Sequence, residues 1–265
     1  EKILNFQNDN KTLFSIIRNN DLYNCLRSNL SKNKFLKFKK KTTYDDLIKK
    51  NYQLIFNCDY SHSISKKFFF KKINKNYDSV AYIAIIKHSK ISNNTASQIF
   101  TKKGPLAFLP TSSTETSVVY SVKGNQNINF EEAIRSYNSK YKISKITKPI
   151  SFELKLSHLR SYYHKNIIAF GDILHKIHPL AGQGFNMTIR DIKKIYELIE
   201  FKKKHGLDLD TSICLEFEKR SRDKNYFFLN GIDLIYELFN FESKLNTNSL
   251  SKSLKFFGKN KIINN

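Results

Sequence analysis

Cysteine, proline and glycine are scarce in this sequence, and arginine is scarcer than its charge suggests. Three cysteines (Cys25, Cys58 and Cys214), four prolines and eight glycines occur in 265 residues. An odd number of widely separated cysteines excludes a disulfide framework, and none stands in a paired metal-ligand spacing. They are expected to be reduced, buried small hydrophobes in a cytosol-like compartment. No uninterrupted apolar run nears the roughly 20 residues that a bilayer-spanning helix needs, and no stretch has signal-peptide form. The chain is therefore expected to be soluble or peripheral. No internal repeat and no low-complexity linker is found.

Only seven of the 46 basic residues are arginine, although the formal net charge is +23. Base-reading and bidentate phosphate sites lean on the arginine fork. Lysine, asparagine and isoleucine rise together along the whole chain, which is a compositional bias rather than a binding stripe, so no nucleic-acid partner is expected. Unfocused positive charge still suits an anionic membrane surface. The first residue is Glu1 rather than methionine, so a fragment or processed product with an upstream start is expected. The length suffices for one large domain or two smaller ones.

Helical spacing of Leu13, Ile16, Ile17, Leu22 and Leu26 predicts a helix beginning near Leu22, with Asn20 and Asp21 as candidate caps. "KFLKFKKK" alternates and reads as a strand. "QLIFNCD" at 53–59 reads as a buried strand with Asp59 at its carboxyl end. Segments 81–89, 96–111 and 117–122 are β-rich and parted by polar turns, which favours an antiparallel sheet. A helix is expected at about 129–142, capped by Asn129 with Glu131 and Glu132 in its first turn. "SFELKLSH" alternates again, and "NIIAFGD" is a buried strand. A following helix carries Ile189, Ile192, Ile195, Tyr196, Leu198 and Ile199 on or near one face, and 208–257 is mostly amphipathic helix.

Three of the eight glycines, Gly171, Gly182 and Gly184, fall in "GDILHKIHPLAGQGFN" at 171–186. Strand, Gly-Asp, loop, then Gly-x-Gly at a helix start is a unit with a physical use. A helix beginning near Phe185 or Asn186 offers unpaired amides and the positive end of its dipole to an anionic or electron-rich ligand atom. Gly182 and Gly184 keep side chains away, Pro179 stiffens the approach, and Asp172 can accept from ligand hydroxyls. "GQGFNM" lacks the third glycine of a dinucleotide fingerprint, and no P-loop lysine follows. His175 and His178, three apart with no nearby acidic or cysteine ligand, make no metal site; His178 reads as a loop buttress before a catalytic base.

The segment "GDILHKIHPLAGQGFNMTIRD" resembles the second flavin-binding motif of class A aromatic-ring monooxygenases, and its "HPLAGQGFN…RD" form is similar to the ubiquinone-biosynthesis hydroxylases. "QLIFNCDYSHSISKK", "GPLAFLP" and "EFEKRSRDKNYFFLNGIDLIYELF" resemble further segments of that family in the same order. The resemblance implies an α/β, parahydroxybenzoate-hydroxylase-like fold. Its FAD-binding three-layer domain, here lacking the N-terminal strand and G-x-G-x-x-G, would occupy 1–70 and 156–205. An inserted antiparallel-sheet substrate lobe would occupy 71–155, and C-terminal helices 206–265. By the same resemblance Asp172 would hold the ribityl and pyrophosphate region of FAD. Pro179, Ala181, Gly182, Gln183, Gly184, Phe185 and Asn186 would pass beside the isoalloxazine ring, with the amides of Phe185 and Asn186 toward its N1/C2 carbonyl edge. The family's Asp-Gly stands here as Asp59-Tyr60. Asp59 is read as a pyrophosphate or NAD(P)H contact, a structural cap or a surface carboxylate, and tyrosine is expected to cost energy if the backbone there is left-handed.

The activity implied is hydroxylation of the aromatic ring of a polyprenylated phenol or quinol in ubiquinone biosynthesis, with NAD(P)H as reductant and O₂ as oxidant. No catalytic acid or base is implied. A cytoplasmic protein, peripheral on the inner membrane beside other quinone-biosynthesis proteins, is the matching expectation. The alternative is a non-catalytic flavin-fold scaffold or binding subunit of a quinone-synthesis assembly.

Overall fold

The computed structural model describes residues 12–39, 42–124, 128–176 and 183–245, in a mixed α/β fold with C-terminal helices. Two compact units are present. One is built from 38–78 and 153–233, the other from 12–37, 79–152 and 234–245.

The first helix, α1 (Asn19–Ser31), starts earlier than the spacing of its leucines predicts. Arg18 is its N-cap, with no side-chain cap hydrogen bond, and Asp21 stands inside the first turn, where the helix dipole favours an acid. None of its residues is buried. The alternating segment that follows is not a strand. Residues 34–39 hold no sheet hydrogen bonds, and Phe35 and Phe38 are exposed; alternation without a partner strand leaves backbone groups to water. Next, α2 (Tyr44–Lys49) begins with a capping box between Thr43 and Asp46.

A short strand, β1 (Ile55–Asn57), leads into α3 (Ser63–Phe68), and the long strand β2 (Lys72–His88) runs on into the second unit. There β3 (Ser97–Thr101), β4 (Gly104–Pro110) and β5 (Glu115–Lys123) form an antiparallel meander. It pairs with β2 from Ser79↔Lys123 to Lys87↔Glu115. Alternate residues Leu106, Phe108, Val118, Tyr120 and Val122 face one core, closed by Phe130 and Ile134 of α4 (Phe130–Tyr137). Gly104 has no substitute: its φ is +138°, and a Cβ there would lie 2.0 Å from the Ser121 carbonyl oxygen. Asn129 caps α4 by accepting from the Glu132 amide at 3.1 Å, as expected. The helix ends at Tyr137, short of residue 142, because Asn138 turns extended and its side chain accepts from the Tyr141 amide. Strand β6 (Ile143–Ile146) pairs with β2.

The chain then returns to the first unit through β7 (Ile150–Leu159), β8 (Tyr163–His164), β9 (Ile167–Ala169) and β10 (His175–Lys176). Helices α5 (Gln183–Lys204) and α6 (Thr211–Leu245) follow. A three-stranded sheet in the order β1-β9-β8 packs on a core of Ile64, Phe69, Leu159, Tyr162, Ile167, Ile168, Phe170, Ile195, Leu198 and Phe217. The inward face of α5 is Met187, Asp191, Ile195 and Leu198, whereas Ile189, Ile192 and Tyr196 are exposed. The buried stripe is thus rotated from the expected one because an acidic residue lies on it. The cysteines also depart from expectation: all three are free, but only Cys214 is buried, and Cys25 and Cys58 are exposed.

Candidate functional site

The site is organised by two adjacent parallel strands. β1 and β9 pair in register, Ile55↔Ile167 through Asn57↔Ala169, and the Phe170 amide donates to the Asn57 carbonyl at 2.9 Å. Both strands therefore end at the same level. Asp59 leaves one end and Gly171-Asp172 the other, at the carboxyl edge where open α/β sheets bind ligands. Gly171 takes a φ of +65°, turning the chain into a single 3₁₀ turn (Gly171–Ile173) closed by the Leu174 amide on the Gly171 carbonyl at 3.0 Å. A Cβ at Gly171 would meet none of the described residues within 4 Å, so it is the conformation that demands glycine there. The Asp172 side chain is exposed.

Asp59 has a structural duty as well. Its Oδ1 accepts from the Ser61 amide at 2.8 Å and the Ser61 hydroxyl at 2.7 Å. The Ser61 hydroxyl is the main reason that its carboxyl stays below the ordinary carboxylate range. Its carbonyl accepts from Ser65 Oγ at 2.5 Å, and Asn57 Nδ2 donates to that same Ser65 oxygen at 2.8 Å. The turn into α3 is thereby tied to β1. Tyr60 carries no strain: the described non-glycine residues with positive φ are Asn51, Asp78 and Lys165. The Lys72 ammonium lies 4.0 Å from its ring centroid. Beside Tyr60 a groove of about 590 Å³ is lined by Lys72, Lys155, Ser157 and Lys176 among others.

Pro179, Ala181 and Gly182 lie outside the described residues, as does His178. Helix α5 begins at Gln183, two or three residues ahead of the expected start. The amides of Gln183, Gly184 and Phe185 thus stand in the first described turn, where helix amides point toward the amino end. Phe185 and Asn186 are exposed. Asp59, Asp172 and the amino end of α5 belong to the same unit.

Sequence reading missed one set of residues. His175 is on a strand, buried, and its Nε2 donates to Asp191 Oδ2 at 2.8 Å. Asp191 is 1% exposed and also receives Lys194 Nζ at 3.3 Å and Asn225 Nδ2 at 3.3 Å. The signal was present: Asp191 interrupts the series Met187, Ile195, Leu198, and a carboxylate on an apolar stripe needs a buried donor. Among the described residues no group of three His, Cys, Asp or Glu side chains is placed to hold a metal ion.

Comparison with known proteins bears on this arrangement. The chain is 32% identical over 116 residues to the ubiquinone biosynthesis monooxygenase COQ6, mitochondrial, of Schizosaccharomyces pombe, covering 43% of this chain and 24% of that protein. It is 26% identical over 209 residues to COQ6 of Danio rerio (62% and 43% covered), and 29% identical over 150 residues to the 3-demethoxyubiquinol 3-hydroxylase of Escherichia coli (52% and 38% covered). Its homologues are ubiquinone-biosynthesis monooxygenases. The chain spans less than half the length of these relatives. No family model matches. Among solved structures, Klebsiella pneumoniae HpxO complexed with FAD and uric acid aligns with a TM-score of 0.60 at 12% identity, covering 80% of this chain and 58% of that one. The aromatic hydroxylase CabE from angucycline biosynthesis aligns with a TM-score of 0.57 at 14% identity, covering 80% and 44%. These last two likenesses are of fold.

Proposed function

We propose that the protein is an FAD-dependent monooxygenase that hydroxylates the aromatic ring of a polyprenylated phenol in ubiquinone biosynthesis, using NAD(P)H and O₂. One observation carries the reading: two carboxylates leave the in-register carboxyl ends of adjacent parallel strands, in the unit that also presents the amino end of α5. The donor set fits the cofactor. Asp172, exposed beside Gly171, suits the ribityl hydroxyls, and Asp59, at the same level of the sheet edge, suits a sugar hydroxyl near the pyrophosphate. The amides of Gln183, Gly184 and Phe185, with Gly184 lacking a side chain, suit an electron-rich ring edge, and Pro179, Ala181, Gly182 and Asn186 complete the segment assigned to it.

When bound, FAD supplies the reducible ring system that activates O₂ for transfer to an electron-rich phenol. The contribution of this chain is electrostatic and positional. A helix amino end stabilises negative charge that develops beside it without a side-chain acid, and its amides are already oriented before the charge appears. The lysines of the groove at Tyr60 suit the phosphates of NAD(P)H, and the +23 charge suits a peripheral stay at an anionic membrane. Among the described residues no helix is long and apolar enough to cross a membrane.

The test is Asp172→Ala in the whole protein. The variant should keep its far-UV circular dichroism and lose bound flavin. Undiminished flavin stoichiometry would show that Asp172 does not hold the cofactor, and a protein that binds flavin but never consumes O₂ with any polyprenylphenol would favour a scaffold.

A further inference from the structure

The same unit holds a set of buried polar side chains that the proposed reaction leaves unused. His158 on β7, Tyr162 after it, His175 on β10, Asp191 on α5 and Asn225 on α6 are all at most 6% exposed. Polar groups buried together are costly unless each is bonded, so the wiring matters. Asp191 accepts from His175, Lys194 and Asn225. Asn225 Nδ2 also lies 3.4 Å from the Tyr162 hydroxyl, which is 3.4 Å from His158 Nε2.

These contacts decide where the protons sit. A carboxylate surrounded by donors has none to give, so His175 carries a hydrogen on Nε2. The Tyr162 oxygen accepts from the Asn225 amide, which directs its own hydrogen to His158 Nε2. Burial raises the Tyr162 phenol well above its ordinary range, so it keeps that hydrogen, and burial lowers His158 to about 4, so the ring is neutral. His158 must then carry its hydrogen on Nδ1. Neither Nδ1 has a partner among the described residues. Both belong to directly opposed residues of the β7–β10 pair. Opposed residues project to one face with Cβ atoms roughly 5 Å apart. A buried water is retained where it meets two or more such groups.

We propose that one buried water joins His158 Nδ1 to His175 Nδ1, closing a directional chain from Asn225 through Tyr162, His158 and His175 to Asp191, and that this chain makes Asp191 and His175 positioning residues for the start of α5. The tautomers and the water stand on the contacts alone; the positioning role rests on the flavin reading, because β10 and α5 flank the segment assigned to the cofactor.

Histidine-selective ¹⁵N labelling of the whole protein and long-range ¹H–¹⁵N correlation at neutral pH read the tautomers directly. His175 should be protonated on Nε2 and His158 on Nδ1. A His175 hydrogen on Nδ1, or exchange between forms in either ring, overturns the chain. Tyr162→Phe keeps the packing and should release only the His158 tautomer; an unchanged His158 overturns its direction. Asp191→Asn should release the His175 tautomer and weaken flavin retention about tenfold, the scale typical of residues that orient a ligand's holders, with Asp191→Glu restoring part of it. If Asp191→Asn retains flavin fully while Asp172→Ala loses it, the positioning role is wrong. If both retain it, the flavin site itself is misassigned, and the tautomer result stands or falls separately.

Discussion

Acidifying the protein from pH 7 to pH 5 is expected to cost about 2 kcal/mol of folding stability through His158 alone. The imidazole has a value of about 4 in the fold, against an ordinary value of 6.5. Desolvation is the main cause. Asp191 opposes it, and Arg222 adds a smaller push. Between those two values the unfolded chain binds one proton more than the folded one. Stability therefore rises with pH by about 1.4 kcal/mol per unit in that window. The His158 contribution is complete above the unfolded value and falls away as pH drops, by about 2 kcal/mol at pH 5 and about 3 kcal/mol at pH 4. Carboxylates also titrate on the acid side, so the perturbation is read as a difference. Urea unfolding of the wild type and of His158→Gln at pH 7, 6 and 5 isolates it, because other groups contribute equally to both proteins. The gap between the two should narrow by about 2 kcal/mol from pH 7 to pH 5. Parallel curves would refute the claim that this ring is held neutral by burial.

Two glycines should respond very differently to alanine. Gly104→Ala drives a Cβ against a backbone carbonyl at 2.0 Å on a left-handed φ, and should destabilise by at least about 3 kcal/mol, read as a fall in the urea midpoint. Gly171→Ala meets no described residue within 4 Å and should cost only the conformational term, about 1–2 kcal/mol. Thiol titration with a coloured disulfide reagent should modify two cysteines in the native protein, Cys25 before Cys58, since burial of its sulfur raises the Cys58 thiol. Cys214, pushed up to about 11 by burial, should react only in denaturant.

The strand, Gly-Asp turn and long helix within 167–204 were legible because glycine placement and apolar runs act locally: β9 ends one residue before the apolar run does, and Gly171 has the positive φ that its residue type allows. The meander of β3, β4 and β5 and the Asn129 cap were legible for the same reason. What alternation alone could not reveal is pairing. Residues 34–39 have the strand pattern without a neighbouring strand, and they do not form one. The inward face of α5 was misread because isoleucines outnumber the buried positions, and Asp191 on that face depends on His175 and Asn225, the second 34 residues away on another helix. Such long-range partners leave only an indirect trace, a charge where an apolar residue is due. The start of α5 lies ahead of the expected one because Gly184, a weak helix former, is nonetheless included in its first turn.

The most direct measurement is the visible absorption spectrum of the purified whole protein and of its Asp172→Ala variant. Oxidised-flavin bands near one equivalent in the first, lost in a second that remains folded, are what a cofactor seated on the carboxyl ends of β1 and β9 requires. A colourless whole protein that stays colourless when FAD is added, or a variant that keeps its full colour, would contradict it.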